Sequence, residues 1–455
     1  MSTPTPSAGG SGRPAIAASA SVGRRRFLQL AGGTAMAAGA VAWAGGWLTP
    51  ERASSASGPP DLYWGGTDGW MYLPRTPAIA PFHPDKLAPA PFTTYIFGFR
   101  NLTGLTPTQR DAQKNKAQHS APLFWVPQFD PDNPRDFKIT LTNLGLAVRP
   151  DLFDAHTLHW HGFRNVIPFF DGEPTGSVSV PAGREFTYVY RPRDPGTYMY
   201  HCHVEDVEHV HMGMTGLVFV RPLQDGQSVG GFTKFLYNDG DGSTGFDREY
   251  AMFLSEVWAE AHWCDAHIQL PEWSDYRPDF SLLNGRVYPD TVAPNGSIDP
   301  FHPVRAADGD LIAPAGHPEL KYQPNSSLVT CKAGERVALR FANLGFREAA
   351  MTTTGIPLDV VGRDATPMRG RDGTDTSYTT DTLNIGPGES FDVLFTAPTH
   401  SGGTGPDTYL LFNRSYVRSA NLAPGGYGGQ TTEIHVYPAD STAIGPQAYP
   451  NDWGM

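Results

Sequence analysis

The chain has 455 residues, 50 of them Gly and 42 Pro, with 12% aromatic and only 18% charged residues. That mix excludes a protein built on long helices and suits short strands joined by many turns, in two or three domains. The formal net charge of −12 speaks against nucleic acid or an anionic membrane as a partner.

Residues 1–22 are small and polar. Arg24-Arg25-Arg26-Phe27-Leu28-Gln29 follows, then an apolar run rich in Ala and Gly from Leu30 to Trp47. This pattern resembles a twin-arginine export signal, and Ser54-Ser55-Ala56 offers a small-x-small cleavage site. Residues 1–56 are therefore assigned to targeting and kept out of the fold, with an extracellular or cell-envelope location expected. A membrane anchor is the competing reading, but the run is short and glycine-rich against the roughly 20 residues a span needs. In an oxidising compartment Cys264 and Cys331 are available to form a disulfide.

Residues 57–75 read as a linker and an arm into the first domain. Strand-like runs then cover Thr93–Gly98, Leu123–Pro127 and Phe137–Gly145, the last turning at Asn143-Leu144-Gly145. Ser177–Val180 turns at Pro181-Ala182-Gly183 into Phe186–Tyr190. Asp194-Pro195-Gly196 turns into Thr197–Cys202, and Leu217–Val220 closes the domain near Pro222. Many short strands with regular turn signals predict a β-sandwich.

The second half repeats this order. Val337–Gly345 matches the strand ending at Gly145, Leu383–Phe391 matches Val178–Phe186, and Asp407–Leu410 matches Gly196–Met199. The reading is a first domain over 57–223, a second over 224–440 and an extended tail over 441–455.

The chemistry is confined to two stretches of the first repeat. One is His156-Thr157-Leu158-His159-Trp160-His161-Gly162. The other, forty residues later, is His201-Cys202-His203, followed by His209, His211, Met212 and Met214. On a strand alternate side chains face opposite ways. His201 and His203 thus share one face, as do His159 and His161, while Cys202 points to the other. Two such pairs on neighbouring strands gather four imidazoles around one space. A soft thiolate with two imidazoles and a thioether is a blue-copper ligand set. The aligned second repeat has Ala349, Thr352 and Thr354 opposite His156, His159 and His161. It has Phe412, Asn413 and Arg414 opposite His201, Cys202 and His203.

These motifs resemble the ligand motifs of multicopper oxidases, over roughly residues 60–440. The resemblance implies an all-β fold of two cupredoxin-like Greek-key β-sandwich domains, the second without copper ligands. It implies type 1 copper on His156, Cys202, His209 and Met214, with His211 and Met212 as rival ligands. The gap from Cys202 to His209 is two residues longer than in the usual laccase motif, which leaves His209 and His211 both open. It implies that His159, His161, His201 and His203 hold half of a type 2/type 3 copper cluster. In Phe169-Phe170-Asp171-Gly172, Asp171 falls where the family places a carboxylate near type 2 copper, against the plainer reading of a turn aspartate before glycine.

The activity implied is laccase-like, with single electrons taken from phenols, aromatic amines or metal ions and delivered to dioxygen. A complete cluster in this family needs eight histidines and this chain supplies four. The expectation is a homo-oligomer in which two first domains face each other across a twofold axis. Two alternatives stand: an enzyme resembling copper nitrite reductases, and a blue-copper electron carrier. Glu205, Asp206 and Glu208 read as a solvated loop or as groups that tune the copper ligands. His262, Cys264 and His267 read as a surface loop with one structural cysteine, in preference to a further metal site. His83, His119, His302, His317, His400 and His435 are given no role.

Overall fold

A computed structural model describes residues 59–453, except 76–77, 121, 165 and 421–427. The export-signal reading therefore lies outside the described residues. Among the described residues, no helix is long and apolar enough to cross a membrane.

Eight strands build the first sandwich. They are β1 (Leu62–Tyr72), β2 (Thr93–Asn101), β3 (Phe124–Pro127), β4 (Phe137–Gly145), β5 (His159–His161), β6 (Glu185–Tyr190), β7 (Gly196–His201) and β8 (Thr215–Arg221). One sheet runs β2-β1-β4-β6 and the other β3-β8-β7-β5. Between them lies a core rich in aromatics, including Trp64, Phe97, Phe124, Trp160 and Tyr188.

The second sandwich has β9 (Arg248–Val257), β10 (Phe280–Leu283), β11 (Val329–Lys332), β12 (Arg336–Asn343), β13 (Ala349–Thr353) and β14 (Leu358–Arg363). It continues with β15 (Thr366–Pro367), β16 (Tyr378–Thr380), β17 (Thr382–Ile385), β18 (Ser390–Thr396), β19 (Asp407–Asn413) and β20 (Thr431–Tyr437). One sheet orders β10-β9-β12-β18-β14-β15, with β16 also on β14; the other orders β11-β20-β19-β13-β17.

The repeat read from the sequence holds at the level of single pairs. β1 runs parallel to β4, and β9 parallel to β12. His159 sits opposite His201, and Thr352 opposite Phe412. His156 bridges Val180, and Ala349 pairs Ile385. Asn143 and Asn343 even make the same turn, each accepting from a glycine amide two residues on at 2.9 Å. The second sandwich thus keeps the scaffold and places Thr352 and Phe412 where the first has histidines.

The segment read as a linker is the central strand β1. Its sequence, LYWGGTDGWMY, looks like loop because of Gly65, Gly66 and Gly69. Those glycines answer close approaches: a Cβ on Gly69 would lie 2.7 Å from the Ala117 backbone, and one on Gly66 2.7 Å from the His156 ring. Other segments also differ from expectation. Of Ser177–Val180 only Val180 pairs, as an isolated bridge. Glu205, Asp206 and Glu208 are not a loop but open helix α1 (Asp206–Met212), and His262 and Cys264 are buried on helix α2 (Ala259–Ala266). The tail ends in a short 3-10 turn, Pro450–Asp452, and packs Trp453 on Trp125 with ring centres 4.6 Å apart. All three cysteines are free thiols; Cys264 lies on α2 and Cys331 inside the second core, so no Cys264–Cys331 disulfide exists.

The sandwiches are fastened together behind β7. Thr197 donates to Asp392 at 2.5 Å, and Ser390 donates to the Thr197 carbonyl at 2.7 Å. Asp392 also pairs with the fully buried Arg340, which pairs with Glu249 at 3.0 Å. A buried cation flanked by two carboxylates is costly to separate, so β7 is held in place at its start, at Thr197, four residues before His201.

Candidate metal centre

β7 ends at His201, and its pairing with β5 on one side and β8 on the other fixes the histidine-cysteine-histidine step. Cys202 follows, fully buried, with its amide donating to the Met214 carbonyl at 3.0 Å. Its Sγ lies 3.2 Å from His209 Nδ1 and 4.0 Å from His156 Nδ1. The Thr157 amide points at the same sulfur from 3.4 Å. Met214 is buried beside His156: its methyl and the His156 ring both press on the space next to Gly66.

The geometry separates His209 from His211. His209 faces Cys202. His211 instead accepts the Trp258 amide at Nε2, 3.1 Å, and packs against His262 and Tyr276. Residues two apart on a helix project to nearly opposite sides, so only one of the two histidines can face Cys202.

The charge state of the metal-free centre follows. Burial alone would raise the Cys202 thiol, but the positive His209 and hydrogen bonds from His156 and His209 outweigh it and hold the thiol well below its ordinary value. Burial would lower His209; the Cys202 thiolate and Asp154 instead push it up to about 10. The pair is a buried thiolate–imidazolium. Two δ nitrogens converging on one thiolate, with a thioether adjacent, fit copper of the blue type.

Across the backbone from Cys202 lies the second set. One ring nitrogen each from His159, His161 and His201 lies within 4.8 Å of the others. His203 stands outside that triad but against it, its ring centre 4.9 Å from His159. Second partners fix the tautomers: His159 Nδ1–H donates to the Asp171 carbonyl at 2.9 Å, and His201 Nδ1–H to the Cys202 carbonyl at 2.9 Å. Both therefore turn Nε2 to the shared space. Burial holds His159 and His161 below their ordinary value and pushes His201 down to about 3. Neutral imidazoles are the form that binds a metal, so this set also fits copper.

Asp171 reaches His159 through its backbone carbonyl; its carboxylate Oδ2 stands 3.6 Å from the same nitrogen. Gly172 has φ of 77°, and a Cβ there would lie 2.2 Å from the Leu158 carbonyl. The Asp-Gly turn thus clamps the back of β5.

Three further residues stand at the centre that the motifs did not name. Thr157 accepts the His203 amide at 2.9 Å as well as facing Cys202. Gly66 makes room for the His156 ring. Asp154 Oδ2 lies 3.7 Å from His209 Nε2. Only Thr157 carried a signal, its place inside the His-Thr-Leu-His step. At the rim, the second sandwich reaches the cluster: a Cβ on Gly388 would lie 3.2 Å from His161 Nε2.

Two sandwiches of one topology, the first of them carrying both clusters of histidine and cysteine ligands, define a cupredoxin-fold copper protein. Two family models described as multicopper oxidase match residues 140–225 and 265–439, together more than half of the chain, which belongs to that family. Copper is its metal. The chain is 24% identical over 284 residues to Multicopper oxidase MmcO of Mycobacterium tuberculosis, covering 62% of this chain and 48% of that protein. It is 26% identical over 280 residues to Laccase-5 of Arabidopsis thaliana, covering 61% and 38%. It thus spans half or less of the length of these curated relatives. Among solved structures it shares its fold with a blue copper oxidase from Nitrosomonas europaea, at a TM-score of 0.52 and 19% identity over 82% of this chain and 85% of that one.

Proposed function

We propose that this chain is an exported copper oxidoreductase of laccase-like type, oxidising small-molecule or metal-ion donors one electron at a time and reducing dioxygen to water. The observation that carries the reading is the single step His201-Cys202-His203. Cys202 belongs to one ligand set, while His201 and His203 belong to the other. Copper, when bound, supplies the one-electron changes in oxidation state.

This chain's residues supply the rest. His156, Cys202, His209 and Met214 would hold the electron-entry ion in a buried core. His159, His161, His201 and His203 would offer half of the dioxygen-reducing cluster, the tautomers of His159 and His201 set by the Asp171 and Cys202 carbonyls. Asp171, with its side chain 28% exposed beside His159, is placed to pass protons inward. A second copy, first sandwich to first sandwich, brings the other four histidines. Its approach runs over His159, His201 and His203, because Gly388 already borders His161. The Arg-Arg-bearing leader is read as the export signal.

Oxygen uptake with a phenolic or metal-ion donor tests the reading. The expected result is donor-dependent uptake from a blue protein. Nitric oxide release from nitrite, or a blue protein that consumes no oxygen with any donor, would overturn it.

A further inference from the structure

The two sandwiches enclose a cleft of about 560 Å3 that none of the candidate copper ligands lines. That volume falls within the roughly 300–1,000 Å3 of small-molecule sites. One wall comes from the first sandwich: Arg164, three residues beyond β5, and Arg193, in the turn from β6 into β7. The other comes from the second sandwich and presents Met368, just after β15, and Tyr378, the half-exposed first residue of β16. Buried Tyr237 also lines the cleft, and its hydroxyl donates at 2.6 Å to Asp392, the carboxylate that fastens Thr197.

The charges of the cleft are unevenly matched. Asp239 accepts from the Thr244 hydroxyl and the Gly242 amide, Asp359 from the Thr379 hydroxyl and Asp375 from the Ser377 amide. Arg336 donates to the Gly242 and Ser243 carbonyls, and Arg369 pairs with Asp241 at 2.9 Å. Arg193 enters no ion pair among the described residues, and Arg164 reaches only Asp194, at 3.5 Å, with both side chains open to solvent. The cations to spare are therefore those of the first-sandwich wall.

We propose that the cleft binds a small aromatic carboxylate, its carboxylate on the Arg164 and Arg193 guanidinia and its ring against Tyr378 and Met368. A guanidinium fork matches a carboxylate in plane, while Tyr and Met offer a flat ring and a polarisable thioether to a second ring. Asp239, Asp359 and Asp375 around the same space would repel a phosphate dianion more than a carboxylate monoanion, which favours the single charge. Because the walls belong to different sandwiches, an occupant also braces the Thr197–Asp392 fastening through Tyr237.

Benzoate is the probe, titrated by calorimetry into the full chain in both the metal-free and the copper-loaded form. The expected result is a single site per chain in both forms, with a dissociation constant on the order of 1 mM for a ligand of this size. The melting temperature rises with benzoate. Affinity falls roughly tenfold in Arg193→Gln and in Arg164→Gln, and as far for acetate, which lacks the ring, and for benzamide, which lacks the charge. Both arginines are exposed, so the variants keep the wild-type melting temperature without benzoate. No benzoate binding at about 10 mM, variants that bind as the wild type does, acetate bound as well as benzoate, or a site present only with copper would each overturn the proposal.

Discussion

Cys202 and His209, whose Sγ and Nδ1 lie 3.2 Å apart, are the two side chains on which the site's colour and reactivity depend. Cys202→Ser removes the soft ligand; the expected result is loss of the blue band and of turnover, measured by absorbance and oxygen uptake. His209→Ala should also abolish the band. His211→Ala should keep it while lowering the melting temperature, because His211 Nε2 partners the Trp258 amide. The histidine and cysteine types were legible from the sequence because few other roles gather them at this spacing. The choice between His209 and His211 was not, because it depends on the direction of each along α1, a helix whose span reads as acidic loop. Asp154 was hidden for a related reason: its place beside His209 comes from the fold, not from its distance along the chain.

At the scale of the element, β1 shows how a strand escapes notice. Glycines normally argue against strand, but here Gly66 and Gly69 stand where another chain segment comes too close for a Cβ. Gly66→Ala should push on the His156 ring and the Met214 methyl. The expected cost is about 1–3 kcal/mol of stability, read by chemical denaturation, with a displaced blue band. Helix α2 carries a second consequence. Burial pushes His262 down to about 4 and, with His262 adjacent, His119 down to about 3. Both stay neutral in the fold and take up protons once unfolded below about pH 6.5. Stability is therefore present above that pH and lost as pH falls toward 4, by about 1.4 kcal/mol per unit for each group. Denaturation midpoints of the metal-free protein should drop between pH 6.5 and 5, above most carboxylate titration; a flat profile would contradict this.

At the scale of the whole molecule, the two-sandwich plan was legible because the second half repeats the turns and the Asn-x-Gly signature of the first. The alignment of the two repeats was equally legible, and Thr352 stands opposite Phe412 in the paired register as His159 stands opposite His201. What the sequence does not carry is the approach of Gly388 to His161 or the Thr197–Asp392 fastening, both of which depend on how the sandwiches pack. The central claim is that four histidines of one chain form half of a cluster closed by a second copy. Copper content measured together with particle mass tests it most directly. The account predicts a dimer, or a multiple of it, with about five coppers per pair of chains. A monomer holding one copper per chain would contradict it.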